Sequence, residues 1–220
     1  MSESTHQCGG CGGCGGGAKQ TPQEPQKLAP NPLSQIKTTV CIMGGTGKSM
    51  VTARIAAELA SHGKQVAILD ADIANPSIPS LFDIPQGVTR GDAGLYPALT
   101  HDGVKILSVS LLLEDETELL TTRAAAMAAI VSQLWAEGIW DEVDCLLIDM
   151  PPGIHDVTQF VLGELPLDAA LILTPPGEYA ELNTARLFRL AGENGVRAFE
   201  RAQSLEEAAI AEITTRIEEL

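Results

Sequence analysis

The chain has 220 residues, 45% of them hydrophobic, enough for one large domain or two small ones. Its 29 acidic and 14 basic residues give a net charge of −15, which argues against a broad nucleic-acid or anionic-membrane face but leaves room for a local phosphate site. No apolar run reaches the roughly 18 residues a membrane span needs, and the N-terminus lacks a signal-peptide core, so a cytoplasmic protein with no membrane partner and no nucleic-acid partner is expected.

Residues 1–36 differ in composition from the rest. From residue 8 they read "CGGCGGCGGG", which sets Cys8, Cys11 and Cys14 at C-x2-C-x2-C spacing. Thiolates so spaced wrap soft metals or iron–sulfur clusters. Three thiolates are one short of a four-thiolate site. His6, or a second chain, would supply the fourth ligand. A [4Fe-4S] cluster, zinc in a Cys3His site, and a Gly-rich tail with incidental cysteines all remain open. The following "AKQTPQEPQKLAPNPLSQ" reads as an extended, flexible linker.

From residue 37 the pattern becomes periodic. "TTVCIM" is a β-branched apolar strand, and "SMVTARIAAELASHG" is a helix stopped by Gly63. "KQVAILD" is a strand ending in Asp70, and "GVKILSVSL" is another. "TELLTTRAAAMAAIVSQLWAEG" is a long Ala-rich helix. "VDCLLIDM" is a buried strand carrying Asp149, and "DAALILTP" ends near Thr174. "YAELNTARLFRLAGENG" is a helix with a glycine stop. "SLEEAAIAEITTRIEEL" is an acidic amphipathic helix, with Ser204 and Glu207 spaced as a capping box. Continuous apolar strands alternating with helices predict an α/β fold: a mostly parallel sheet with helices on both faces and its site beyond the carboxyl ends of the strands. Cys41 and Cys145, inside apolar runs, read as small buried hydrophobes.

"MGGTGKS" lies between a strand and a helix, the context of a phosphate-binding loop. Gly44, Gly45, Thr46 and Gly47 form the turn, whose N–H groups can converge on phosphate oxygens. Lys48 can reach the outer phosphates, and Ser49 can ligate magnesium. Asp70, Asp72 and Asp149, at strand ends, can hold that ion or its waters. The first glycine of the usual loop pattern is replaced by Ile42, which would strain the loop if that position needed a positive φ.

Three stretches resemble the iron–sulfur cluster carrier ATPases of the Mrp/NBP35 type, deviant P-loop ATPases related to MinD and ParA. "GGTGKSMVTARIAAELASHGKQVAILDADIANPSIPSLF" is similar to the family's loop, first helix and "DAD…GPSIP" segment. "LLIDMPPGIHDVTQFVLGELPLDAALILTPP" is similar to its "LIDLPPGTGD…" stretch, and "GVKILSVSLLLEDE" to a weaker strand between them. The likeness runs from Thr38 to Gly195 and implies a P-loop NTPase-like domain over residues 37–220. It implies a homodimer that binds ATP and Mg2+, hydrolyses ATP to ADP and phosphate, and delivers clusters to apo iron–sulfur proteins. Asp72 matches the acid that orients the attacking water, Asp70 its strand-end partner, and Asp149 the magnesium acid. Met50 stands where Thr is usual.

The chain also departs from the family. A lysine at the start of the loop reaches the partner's nucleotide in the family. Met43 occupies that position and carries no charge, which implies slow hydrolysis. Arg123 matches a family arginine, but "RGP" reads "RAA". His155 replaces a glycine and reads as a solvent-facing helix start. The family's later strand, with its adenine-reading Asn, and its "CPxC" pair have no match, so the domain reads as shortened at its C-terminal side. Asn194 is not assigned the base-reading role, and adenine versus guanine stays open. The alternative is a nucleotide-binding but weakly active or inactive regulatory relative of MinD and ParA. A DNA- or division-sorting ATPase fits the acidic charge, the cysteine tail and the acidic last helix less well.

Overall fold

The computed structural model describes residues 27–84, 87–113, 124–174, 178–202 and 206–220. Nine strands are present among them: β1 (Gln35–Gly44), β2 (Val66–Asp70), β3 (Thr89–Gly91), β4 (Gly94–Tyr96), β5 (Ala98–Leu99), β6 (Lys105–Leu107), β7 (Glu142–Asp149), β8 (Ala169–Thr174) and β9 (Arg197–Ala202). The helices are α1 (Lys48–Ser61), α2 (Ala124–Glu137), α3 (Asp156–Glu164), α4 (Glu178–Glu193) and α5 (Glu207–Glu218). Seven strands form one sheet in the order β5-β6-β2-β7-β1-β8-β9. All neighbours in it are parallel except β5 and β6. β3 and β4 make a separate antiparallel hairpin.

The sheet is covered on both faces because its strands are apolar on both sides. Along β1, Val40 and Ile42 turn to one face and Cys41 and Met43 to the other, the period-2 alternation of a strand. The first face meets Val51, Ile55 and Leu59 of α1 and Ile210, Ile213 and Ile217 of α5. The second meets Trp135 of α2, Val161 of α3 and Leu187 of α4. Cys41 and Cys145 are buried free thiols, and burial pushes both up to about 12. They behave as the small hydrophobes expected.

Several elements differ from the sequence reading. The strand expected from Val104 stops at Leu107, where the chain turns into a short 3-10 segment, Val109–Leu112. The hairpin β3–β4 carries too few residues to show a periodicity. Glu207 is the first residue of α5, after Glu206, so it does not occupy the third helical position a capping box needs. Ser204 lies outside the described residues. The largest correction is β9. The family's later strand has no match in the sequence reading, which takes the domain as shortened there, yet "RAFERA" forms a strand that pairs in parallel with all of β8. Phe199 is buried on the α5 face while Ala198 packs on the other, and Arg216 of α5 stacks on the Phe199 ring at 4.6 Å.

Packed chain also begins ahead of residue 37. Leu28 donates its N–H to Glu164 at 2.7 Å and packs on the core, while Asn31 is buried beside Ala93. Lys27 caps the end of α3 through the carbonyls of Leu162 and Gly163.

Candidate phosphate-loop site

The carboxyl ends of the central strands meet at one edge of the sheet. β1 ends at Gly44, β2 at Asp70, β7 at Asp149 and β8 at Thr174. Parallel pairing aligns these ends, and Asp70 is the direct neighbour of Asp149. The loop from β1 into α1 crosses above them. Gly44 has φ 116°, and Gly47, immediately ahead of α1, has φ 82°, both in the region that L side chains rarely adopt. The amide of Gly45 donates to Leu173 at 3.0 Å, tying the loop to β8.

Ile42 is not the defect it resembled. It lies within β1, fully buried, opposite Asp149 on one side and Leu171 on the other. The turn starts two residues later, so position 42 needs no positive φ. Met43 is also in the strand, only 1% exposed, with its side chain in the core on the α2–α4 face.

Most of the loop-side residues singled out from the sequence converge here. Ser49 Oγ donates to Asp149 at 2.6 Å. Thr52, one turn along α1, donates to the other oxygen of Asp149 at 3.1 Å. Ser77 donates to Ser49 Oγ at 2.9 Å. Lys48 is 7% exposed and donates its Nζ to the Gly45 carbonyl at 3.0 Å. Met50 is 41% exposed in the first turn of α1. Thr46 and Gly47 complete the turn into the helix.

Asp70, like Asp149, is fully buried. It accepts Ser108 Oγ at 3.0 Å, the Ile78 amide at 3.3 Å and the Asp72 amide at 3.2 Å. Asp72 is half-buried and accepts the Asn75 amide at 3.1 Å. Burial, and then the charge of Asp149, push Asp70 up to about 8. Burial pushes Asp149 up to about 6 against the opposing bonds from Ser49 and Thr52. Burial also raises Asp72 and lowers Lys48. The site thus holds closely set carboxylates that share few positive charges.

The loop after β7 closes the other side. Gly153 has φ 87°, and Thr158 of α3 holds its carbonyl at 3.1 Å. His155 precedes α3, is half-buried, and contacts the Pro152 carbonyl at 3.1 Å. It is not the fully solvent-facing residue expected.

Thr52, Ser77 and Ser108 were not singled out from the sequence. Thr52 carries a helical signal, three residues past Ser49 on α1. Ser77 and Ser108 reach the site through loops, and no spacing rule points to them. Cys8, Cys11, Cys14, His6 and Arg123 lie outside the described residues. Among the described residues no group of three or more His, Cys, Asp or Glu side chains is placed to share a metal ion.

A family model described as ParA, the NUBPL iron-transfer P-loop NTPase, matches residues 35–201. The chain belongs to that family. An iron–sulfur cluster carrier protein of Methanocaldococcus jannaschii is 36% identical over 164 residues, covering 72% of this chain and 57% of that protein. A cytosolic Fe-S cluster assembly factor NUBP1 homolog of Caenorhabditis elegans is 37% identical over 162 residues, covering 70% of this chain and 52% of that protein. This chain therefore spans little more than half the length of these curated relatives. Among solved structures, a nucleotide-binding protein from Archaeoglobus fulgidus in complex with ADP superposes with a TM-score of 0.63 and 30% identity, covering 82% of this chain and 78% of that one. The P-loop NTPase fold of the family extends through β9, since the matched residues end at 201.

Proposed function

We propose that this NUBPL-family chain binds ATP with magnesium at the loop Gly44–Ser49, hydrolyses it slowly, and uses that cycle to carry an iron–sulfur cluster to apo-proteins. The observation that carries the nucleotide half is the meeting of Ser49, Thr52 and Asp149 beneath a glycine turn that opens α1. The carrier half rests on the family and on relatives that are cluster carriers.

The residues fit a magnesium–nucleotide complex. Ser49 Oγ and Asp149 offer one hydroxyl and one carboxylate side by side, all oxygen donors. Magnesium favours such sparse protein ligation, with phosphates and waters completing the shell. That ion would neutralise charge developing on the outer phosphates. Amides from Gly44 to Ser49, and the first turn of α1 with Met50, cradle the phosphates. Lys48 leaves the Gly45 carbonyl to reach the outer phosphate oxygens. Asp70 supports Asp149 from the neighbouring strand, and Asp72, nearer solvent, orients the attacking water. The burial of Met43 leaves position 43 with no cation for the transition state, which supports slow turnover. The same feature favours the second reading, a relative that binds nucleotide and regulates without turning it over. A homodimer shared around the nucleotide is part of the proposal, as are cluster ligation by Cys8, Cys11 and Cys14 and delivery in the cytoplasm.

Titration calorimetry with Mg-ATP on the full chain tests the site. Lys48→Ala should lower affinity about 10- to 100-fold, the loss of charge-assisted phosphate bonds of about 1.5–3 kcal/mol. Equal affinities for both proteins would remove the loop from the proposal.

A further inference from the structure

A cation is missing where the family resemblance puts one, because Met43 is packed into the core. Lys48 is the loop's own cation and is held at the Gly45 carbonyl. A cavity of about 290 Å³ opens beside the loop, between Gly44–Gly45, the Gly153–Ile154 turn and α4. None of its described lining residues is acidic, in a chain with twice as many acids as bases. Arg186 of α4 lines it.

Arg186 is exposed and has no salt bridge among the described residues. Arg189, three residues along the same helix, is by contrast held by Glu193 at 2.8 Å. The position of α4 against the loop is fixed. Leu187 is buried on the sheet, and Thr184 contacts Thr174 at the end of β8 at 3.1 Å. Arg186, without an ion pair among the described residues, is therefore set on a packed helix across a cavity from the glycine turn. Ile154 and Leu173 supply apolar walls that strengthen a charge interaction inside it.

We propose that Arg186 is the phosphate-facing cation of this site, its guanidinium closing across the cavity onto the terminal phosphoryl oxygens of the nucleoside triphosphate bound by the same chain. The proposal rests on the nucleotide reading above. A planar guanidinium matches phosphate oxygens two at a time, and it meets the oxygens on which charge is spread during transfer. The residue is a discriminator as well, since a diphosphate leaves it without a partner.

Mg-ATP and Mg-ADP affinities of the full-length wild type, Arg186→Ala and Arg186→Lys are the test, with thermal melts as the folding control. Arg186→Ala should weaken Mg-ATP at least about tenfold and leave Mg-ADP within about twofold. Arg186→Lys should restore part of the ATP preference, because it keeps the charge and loses the fork. An unchanged ATP-to-ADP ratio in Arg186→Ala overturns the assignment while leaving the loop's own role intact. Equal loss of both nucleotides also overturns it, because only a structural role weakens both alike. A wild type that binds neither nucleotide removes the site reading, and this inference with it.

Discussion

Gly44→Ala should be strongly destabilising. A Cβ at Gly44 would lie 2.1 Å from the Leu173 carbonyl oxygen and 2.9 Å from its carbonyl carbon and amide nitrogen. All three are backbone atoms of β8, paired in register with Gly44, so no rotamer relieves the overlap. Moving the strands apart loosens the Gly45–Leu173 bond of 3.0 Å. Alanine at φ 116° adds backbone strain of about 1–3 kcal/mol, and the weakened hydrogen bond about 0.5–1.5 kcal/mol. A loss of about 1.5–4.5 kcal/mol is expected before any cost of parting the strands. Gly63→Ala is the control. Gly63 has φ 79° but nothing within 4 Å of its added Cβ, so only the left-handed conformation is penalised, at about 1 kcal/mol. Urea denaturation followed by tryptophan fluorescence reads both variants, since Trp135 and Trp140 are both buried. If Gly44→Ala loses no more stability than Gly63→Ala, the close approach of loop and β8 is not a real constraint.

Folding raises Asp70 from 3.8 to about 8, so the folded chain takes up a proton that the unfolded chain lacks, and the stability this proton brings is lost as pH rises from about 4 through 8. Asp70→Asn should flatten that decline, gaining on the order of a few kcal/mol over wild type between pH 5 and 8, and identical urea midpoints across that range in both proteins would count against a neutral Asp70. The full chain, purified without oxygen, should contain iron and sulfide in comparable amounts that Cys11→Ser abolishes without altering Mg-ATP affinity. Zinc alone, or no metal after anaerobic reconstitution, would remove the cluster from the proposed function.

The sheet was legible because it is buried on both faces. β1, β2, β7 and β8 each carry a buried apolar run in their C-terminal part, which leads to the carboxyl end where the site lies. β9 was hidden for the opposite reason. "RAFERA" lies at an edge, mixes three charged residues with two alanines and one Phe in no regular alternation, and owes its pairing to β8. Ile42 and Met43 were legible both as departures from the loop pattern and as the end of the first strand, but the sequence did not show whether position 42 also belonged to the turn. Their burial depends on where the turn begins, and only the backbone at Gly44 decides that. Ser77 and Ser108 were beyond reach because their contacts with Ser49 and Asp70 cross 28 and 38 residues of chain.

The pattern of partners around the loop bears on where binding energy can come from. Ser49 is bonded to Asp149 and Ser77, Lys48 to the Gly45 carbonyl, and Asp72 to the Asn75 amide. Each of these groups exchanges one bond for another when it meets a phosphate or a magnesium ion, so its net gain is the small difference between two similar interactions. Exchange of this kind orients the nucleotide more than it holds it. A group with no internal partner gives up only water. Arg186 has no ion-pair partner among the described residues and lies beside a cavity whose described lining carries no acid. The interaction that separates triphosphate from diphosphate should therefore arise on α4, from a helix that the family's loop motif does not include.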